Sequence, residues 1–180
     1  MRFYETTLNS KNIFSGRFIK LRLDEVILPN GRKSTREIVE HPGAIAVVAV
    51  NGDNDIFMVR QYRKPIEKEL LEIPAGKLEK GESKEMCAKR ELMEETGYYP
   101  HDIKYITSFY SSPGFSNEII YLFLARNLEK KFREADFDEY LQSVRVPFKE
   151  AIKKVHSGRI VDGKTIAGLL LTYPLIIGDL

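Results

Sequence analysis

Seven consecutive apolar residues, Ala44 to Val50, follow His41-Pro42-Gly43 and are closed by Asn51-Gly52-Asp53. A half-exposed strand alternates polar and apolar residues, whereas an unbroken run of this length is the pattern of a strand covered on both faces. Such a strand needs a packed layer on each side, so the chain is expected to form a mixed sheet with helices on both faces. Ile56 to Tyr62 is its expected hairpin partner, and strand-like runs recur at Ile103 to Tyr110 and Ile119 to Ala125. A helix is expected over Ser83 to Thr96, with Ser83 as N-cap, Glu85 in the first turn and Gly97 at its C-terminal end. Two more are expected at Pro147 to Ser157 and Gly163 to Thr172, the second ended by Pro174.

Ahead of the apolar run, strand-like residues from Ile13 to Ile27 break around Ser15-Gly16. The turn signal Pro29-Asn30-Gly31 and then Arg36 to Glu40 follow. Residues 1–40 therefore read as a small antiparallel unit, and residues 41–180 as the main domain. The first 40 residues hold eight Lys and Arg against five Asp and Glu, a balance that suits a solvated face. The stretch from Arg126 to Tyr140 is rich in charge and reads as an exposed loop.

At 180 residues the chain suits one domain with a small appendage. Its formal charge of +2 lacks the basic excess of a nucleic-acid binder, so no nucleic-acid partner is expected. The single cysteine, Cys87, excludes an internal disulfide, and a reducing cytosol fits it. His41, His101 and His156 are too scattered for a zinc site. The N-terminus lacks the apolar stretch of a secretory signal and no apolar run reaches bilayer length, so no membrane partner is expected and the protein is placed in the cytoplasm.

Acidic residues concentrate between Glu72 and Glu95. At about 100° per residue, Glu91, Glu94 and Glu95 share one face of the expected helix, while Met86 and Met93 fall on the opposite side and are expected to enter the core. Three like charges so close repel one another. Either a solvated acidic face with i,i+4 partners or a bound cation satisfies them, and Lys89 and Arg90 are few partners for five glutamates between Glu82 and Glu95. All-oxygen ligation points to Mg²⁺, with Mn²⁺ as the usual substitute.

Gly76, then Glu82 after five residues, then Arg90-Glu91-Leu92-Met93-Glu94-Glu95-Thr96-Gly97-Tyr98 after seven more, resembles the full signature of the Nudix hydrolases. Its six Gly and Glu positions would match a random window roughly once in ten million. Outside the box, Ser112-Pro113-Gly114-Phe115-Ser116-Asn117-Glu118 resembles the loop of the ADP-ribose pyrophosphatase subgroup, with Pro113 lying 16 residues after Gly97. Arg36-Glu37-Ile38, Arg60 to Arg63 and Leu71-Glu72-Ile73-Pro74-Ala75-Gly76 are similar to further subgroup segments.

The resemblance implies an α/β fold, a Nudix-type mixed β-sheet sandwiched between helices with a small antiparallel N-terminal β unit. It implies Glu91, Glu95 and the Ala75 carbonyl as metal ligands, with Glu94 helping through a second ion or water. Glu118 is implied as a metal ligand or the group that activates the attacking water. Arg90 would orient a glutamate of the box. Arg36, Arg63 and Glu72 would meet the substrate, with Lys77 and Phe115 as further candidates on that side. The N-terminal unit would cross to a second subunit of a homodimer, with Phe14, Phe18 and Ile19 as candidates for ring contacts. The expected activity is Mg²⁺-dependent hydrolysis of ADP-ribose, a small nucleotide substrate, to AMP and ribose 5-phosphate. Another nucleoside diphosphate sugar such as GDP-mannose is the nearest alternative, and a non-catalytic ADP-ribose sensor the remote one.

Overall fold

The computed structural model describes residues 3–79, 81–131 and 140–178. The chain divides into two compact units, Met1–Gly43 with Tyr110–Ile119, and Ala44–Phe109 with Ile120–Leu180.

In the first unit β1 (Thr6–Ser15), β2 (Lys20–Ile27) and β3 (Lys33–Glu40) form an antiparallel sheet in chain order. The two breaks expected from Ser15-Gly16 and Pro29-Asn30-Gly31 fall between these strands. Gly31 turns the second of them in the left-handed region at φ 79°, where a side chain would be strained. Every residue of β1 is exposed, so the strand draws its stability from its pairing with β2 and not from burial.

In the second unit β4 (Ala44–Val50) is the apolar run of the sequence, and from Ile45 onward it is buried throughout. Its neighbours are β5 (Asp55–Arg63) and the short β7 (Ala75–Lys77), both antiparallel, and the parallel β9 (Ile119–Lys130). β6 (Lys68–Glu72) pairs with β5, β8 (Tyr98–Tyr110) lies beside β9, and β10 (Leu141–Pro147) closes the other edge against β5. The hairpin of β4 with β5 is brief, with Ala49 opposite Phe57 and Val50 opposite Ile56. β10 runs along the other edge of β5 from Asp55 to Gln61, and β6 pairs with β5 from Val59 to Arg63.

Alternate residues of β4 enter two cores. Ala46, Val48 and Val50 pack with Phe148 and Ala151 of α2 (Phe148–His156) and Leu169 and Ile176 of α3 (Gly163–Ile177). Ile45, Val47 and Ala49 pack with Cys87, Ala88 and Leu92 of α1 (Lys84–Thr96). This is the mixed sheet with helices on both faces that the run required.

Three local expectations change. Pro174 lies inside α3 and does not end it. Pro174 has no N–H to offer the Leu170 carbonyl, and burial of Ile176 with the packing of Tyr173 and Ile177 holds the last turn. β8 begins already at Tyr98, whose ring packs on Phe57 at a centroid distance of 4.4 Å. β9 continues through Lys130, with Leu128 against the second core, so the charged stretch from Arg126 starts as strand; residues 132–139 lie outside the described residues.

Candidate active site

α1 starts where the sequence places it. Ser83 caps it by accepting the N–H of Met86 at 3.2 Å, and Gly97 ends it at φ 77°, its N–H on the carbonyl of Met93. Its buried residues are Cys87, Ala88, Glu91, Leu92, Glu95 and Thr96. The face was expected to be the methionine side, yet Met86 is 62% exposed, while Glu91 is 8% and Glu95 6% exposed. The carboxylates turn inward because loop backbone, and not solvent, receives them.

That backbone is β7 and the segment before it. The N–H of Ala75 donates to Glu95 Oε2 at 3.0 Å. Gly76 lies so close to Glu91 that a Cβ at this position would come within 1.8 to 2.1 Å of its carboxylate atoms. No side chain fits there, which explains the glycine that opens the motif.

Arg90 supplies more compensation than its number suggested. Its Nε and Nη2 hold Glu82 at 2.9 and 3.0 Å, and its Nη1 donates to Glu94 Oε2 at 2.8 Å and lies 2.9 Å from Glu91 Oε1. Its Nη2 also reaches the carbonyl of Lys77 at 3.3 Å. The bond to Glu82 is the chief reason the guanidinium is held above its ordinary pKa, and the same bond draws the Glu82 carboxyl down. Lys89 pairs with Glu85 at 2.9 Å. One guanidinium thus gathers three glutamates, which a count of cations does not reveal.

Among the described residues, no three acidic, histidine or cysteine side chains converge on a common metal position. The oxygens available are nevertheless those of a hard divalent cation: two carboxylates, Glu91 and Glu95, four apart on a buried helix face, beside the backbone of Ala75. A cation that keeps several waters, as Mg²⁺ does, needs no more protein ligands than these.

Glu72, at the end of β6, is fully buried. Arg63 grips both its oxygens, Nε to Oε1 at 2.7 Å and Nη2 to Oε2 at 2.6 Å, and Lys164 also reaches Oε2. Burial pushes the Glu72 carboxyl up, but Arg63 and Lys164 together outweigh it and leave the pKa below the usual value. Lys164 and its neighbours Asp162 and Thr165 were not singled out from the sequence. The available signal was an Asp capping the helix that begins at Gly163. Lys77 is exposed. A groove of about 310 Å³ lined by Glu85, His101, Asp102, Ile103, Lys104, Leu124 and Arg126 contains none of the expected site residues.

In the first unit, Arg36 pairs with Glu5 and also donates to Ser34 Oγ at 3.1 Å and the Thr35 carbonyl at 2.8 Å. The loop carrying Phe115 and Glu118 is tied to the end of β3. Val39 N–H donates to the Phe115 carbonyl at 2.7 Å, Asn117 N–H returns to the Val39 carbonyl at 3.2 Å, and the Asn117 side chain accepts His41 N–H at 2.8 Å. Glu118 accepts the Ser111 hydroxyl at 2.5 Å and lies 3.5 Å from His41 Nδ1. Phe115 is exposed.

Two protein families match the chain, the NUDIX domain over residues 40–168 and the nucleoside diphosphate sugar hydrolase N-terminal domain over residues 5–39. The chain is 50% identical over 163 residues to the ADP-ribose pyrophosphatase of Bacillus subtilis (strain 168), covering 89% of this chain and 88% of that one. It is 51% identical over 166 residues to the methanol dehydrogenase activator of Bacillus methanolicus, covering 91% and 90%. Among solved structures it is similar to a crystal structure of an ADP compounds hydrolase, with a TM-score of 0.86 at 22% identity over 97% of this chain and 95% of that one. That last likeness is one of fold.

Proposed function

The chain belongs to the Nudix hydrolase family, and from that premise we propose that it hydrolyses the pyrophosphate bond of ADP-ribose to AMP and ribose 5-phosphate with Mg²⁺, for which Mn²⁺ substitutes. The observation that carries the reading is the placing of Glu91 and Glu95: two carboxylates buried on α1, one against Gly76 and the other bonded to the Ala75 N–H. A bound cation would add to the charge that Arg90 already supplies beside Glu91 and would meet Glu95 on the same buried face. The name of the Bacillus subtilis relative supports the substrate.

Glu91, Glu95 and the carbonyl of Ala75 would hold the metal, with Glu94 and Glu118 as further oxygen donors. When bound, the cation supplies positive charge against the diphosphate oxygens and acidifies water. Glu118 takes the proton as a water oxygen bonds to phosphorus and the bridging P–O bond breaks. Glu94 and Glu95 complete the acidic group. Arg36 and Arg63 neutralise the diphosphate, Glu72 holds Arg63 in place, and Lys77 and Phe115 take the remaining polar and ring contacts.

We assign residues 1–40 to the dimer contact of a cytoplasmic homodimer and residues 41–180 to the hydrolase; the loop that carries Glu118 belongs to the first compact unit. The exposed Leu8, Ile13, Phe14 and Phe18 support a second copy there. The deciding experiment is ion-exchange analysis of products from ADP-ribose, GDP-mannose and other nucleoside diphosphate sugars, with and without chelator. AMP and ribose 5-phosphate formed only with metal meet the proposal. Preference for GDP-mannose moves the substrate, and binding of ADP-ribose without turnover makes the protein a sensor.

A further inference from the structure

Three consecutive residues ahead of the box, Ile73, Pro74 and Ala75, are each held by a different element. Ile73 N–H donates to Thr165 Oγ1 of α3 at 2.9 Å, the Pro74 carbonyl accepts Val47 N–H of β4 at 2.9 Å, and Ala75 N–H donates to Glu95 of α1 at 3.0 Å. The β4 and α1 holds belong to the sheet and the box. The first comes from a helix that carries no residue of the box.

Thr165 is fully buried, and its one hydroxyl proton is committed to Asp162 Oδ2 at 2.5 Å, so its oxygen is left to accept from Ile73. The same Asp162 oxygen accepts Thr165 N–H at 3.0 Å and Lys164 Nζ at 2.9 Å. Lys164 spans from there to Glu72, the carboxylate on which Arg63 rests. The four residues from Asp162 to Thr165 therefore reach Glu72 by a side chain and Ile73 by a backbone bond. Two cations and two carboxylates balance within the cluster. One turn further, α3 is seated on Ile73 itself, since a Cβ on Gly168 would lie 2.8 Å from its Cδ1.

A helix cap alone explains the bonds from Asp162 to Thr165. It explains neither the Thr165 to Ile73 bond nor the Lys164 to Glu72 pair, both of which leave the helix for the segment that ends at Ala75. We propose that the start of α3 positions the reactive loop: Thr165 fixes the backbone ahead of the Ala75 carbonyl, and Lys164 fixes Glu72 and through it Arg63. Lys164 and Thr165 are positioning residues that act through their neighbours, and the inference rests on the reading of the chain as a metal-dependent diphosphate hydrolase. Partners of this kind, one step behind metal ligands, matter because small displacements of a ligand weaken both binding and turnover.

The test compares Thr165→Val, Thr165→Ser and Lys164→Met with the natural protein. Mn²⁺ binding is measured by electron paramagnetic resonance without substrate, and kcat and KM with ADP-ribose. Thr165→Val is expected to weaken Mn²⁺ binding and lower kcat, each by about tenfold, with Thr165→Ser recovering both. Lys164→Met is expected to raise KM about tenfold while Mn²⁺ binding stays within about twofold, since its branch leads to Arg63. A Thr165→Val protein that only melts at lower temperature, with Mn²⁺ binding and kcat within about twofold of the natural protein, overturns the proposal. So does a natural protein that binds no Mn²⁺. If Thr165→Val does not fold, Thr165→Cys, whose sulfur accepts only weakly from the Ile73 N–H, is measured in its place, and the same loss or its absence decides. A natural protein that binds Mn²⁺ but cleaves no nucleoside diphosphate sugar refutes the hydrolase reading alone, and the Mn²⁺ series still decides the positioning.

Discussion

Gly76 and Glu91 occupy one another's space: where any other residue would carry its Cβ, the glycine admits the glutamate carboxylate, at 1.8 to 2.1 Å from that position. Gly76→Ala must therefore displace either β7 or the carboxylate. The expected result is a loss of at least about a hundredfold in kcat with a folded circular-dichroism spectrum, the size found when a charge-stabilising group is removed. Activity within about threefold of the natural protein would mean that turnover does not need β7 and the carboxylate in this close approach.

Glu118 is the residue assigned to the proton. If it takes that proton, Glu118→Gln lowers kcat far more than it raises KM, and the loss shrinks at high pH, where hydroxide needs no base. A variant within about threefold of the natural protein across the pH range places the base elsewhere, with Glu94 the next to test.

The Glu72 cluster leaves a signature in stability. Burial alone would raise its carboxyl, but Arg63 and Lys164 overcome that and set it below the ordinary 4.5. A carboxylate lowered on folding stabilises the fold fully above its unfolded value, and that contribution fades as pH falls from about 4.5 through the lower folded value. Glu72→Gln should thus lower stability by up to about 3 kcal/mol at neutral pH, because it takes the carboxylate from Arg63 and leaves Lys164 with Asp162 alone, and by much less near pH 3. Melting curves of both proteins from pH 3 to 8 measure the difference; a gap that does not narrow in acid contradicts the assignment.

Sedimentation tests the pairing of N-terminal units. A dimer is expected, and deleting residues 1–40 should abolish ADP-ribose hydrolysis while α1 remains folded. A monomer with full activity rejects the assignment.

Much of this was legible in the sequence because it is local. The β4 run announces its two covered faces, and Ser83 and Gly97 mark both ends of α1 through backbone chemistry that acts within a few residues. The glutamate spacing likewise fixes which carboxylates share a face. What periodicity misjudged was which face turns inward: an acidic stripe reads as solvent-facing, and only the approach of Ala75 and Gly76 inverts it. Arg90 counts as one charge in composition, yet its fork serves Glu82, Glu91 and Glu94 at once. The bonds from Thr165 to Ile73 and from Lys164 to Glu72 each span 92 residues, and no local spacing encodes them.

Cys87 sits on the inward face of α1 with no exposed surface, its Sγ 3.3 Å from the Lys77 carbonyl, and burial above all pushes its thiol up to about 12. A thiol so placed is inert to alkylating reagents while the helix stays docked, since only the exposed thiolate reacts. Because it is the chain's only cysteine, the rate at which a maleimide labels the native protein becomes a clock for the undocking of α1. Added Mg²⁺ should slow that clock in proportion to its occupancy.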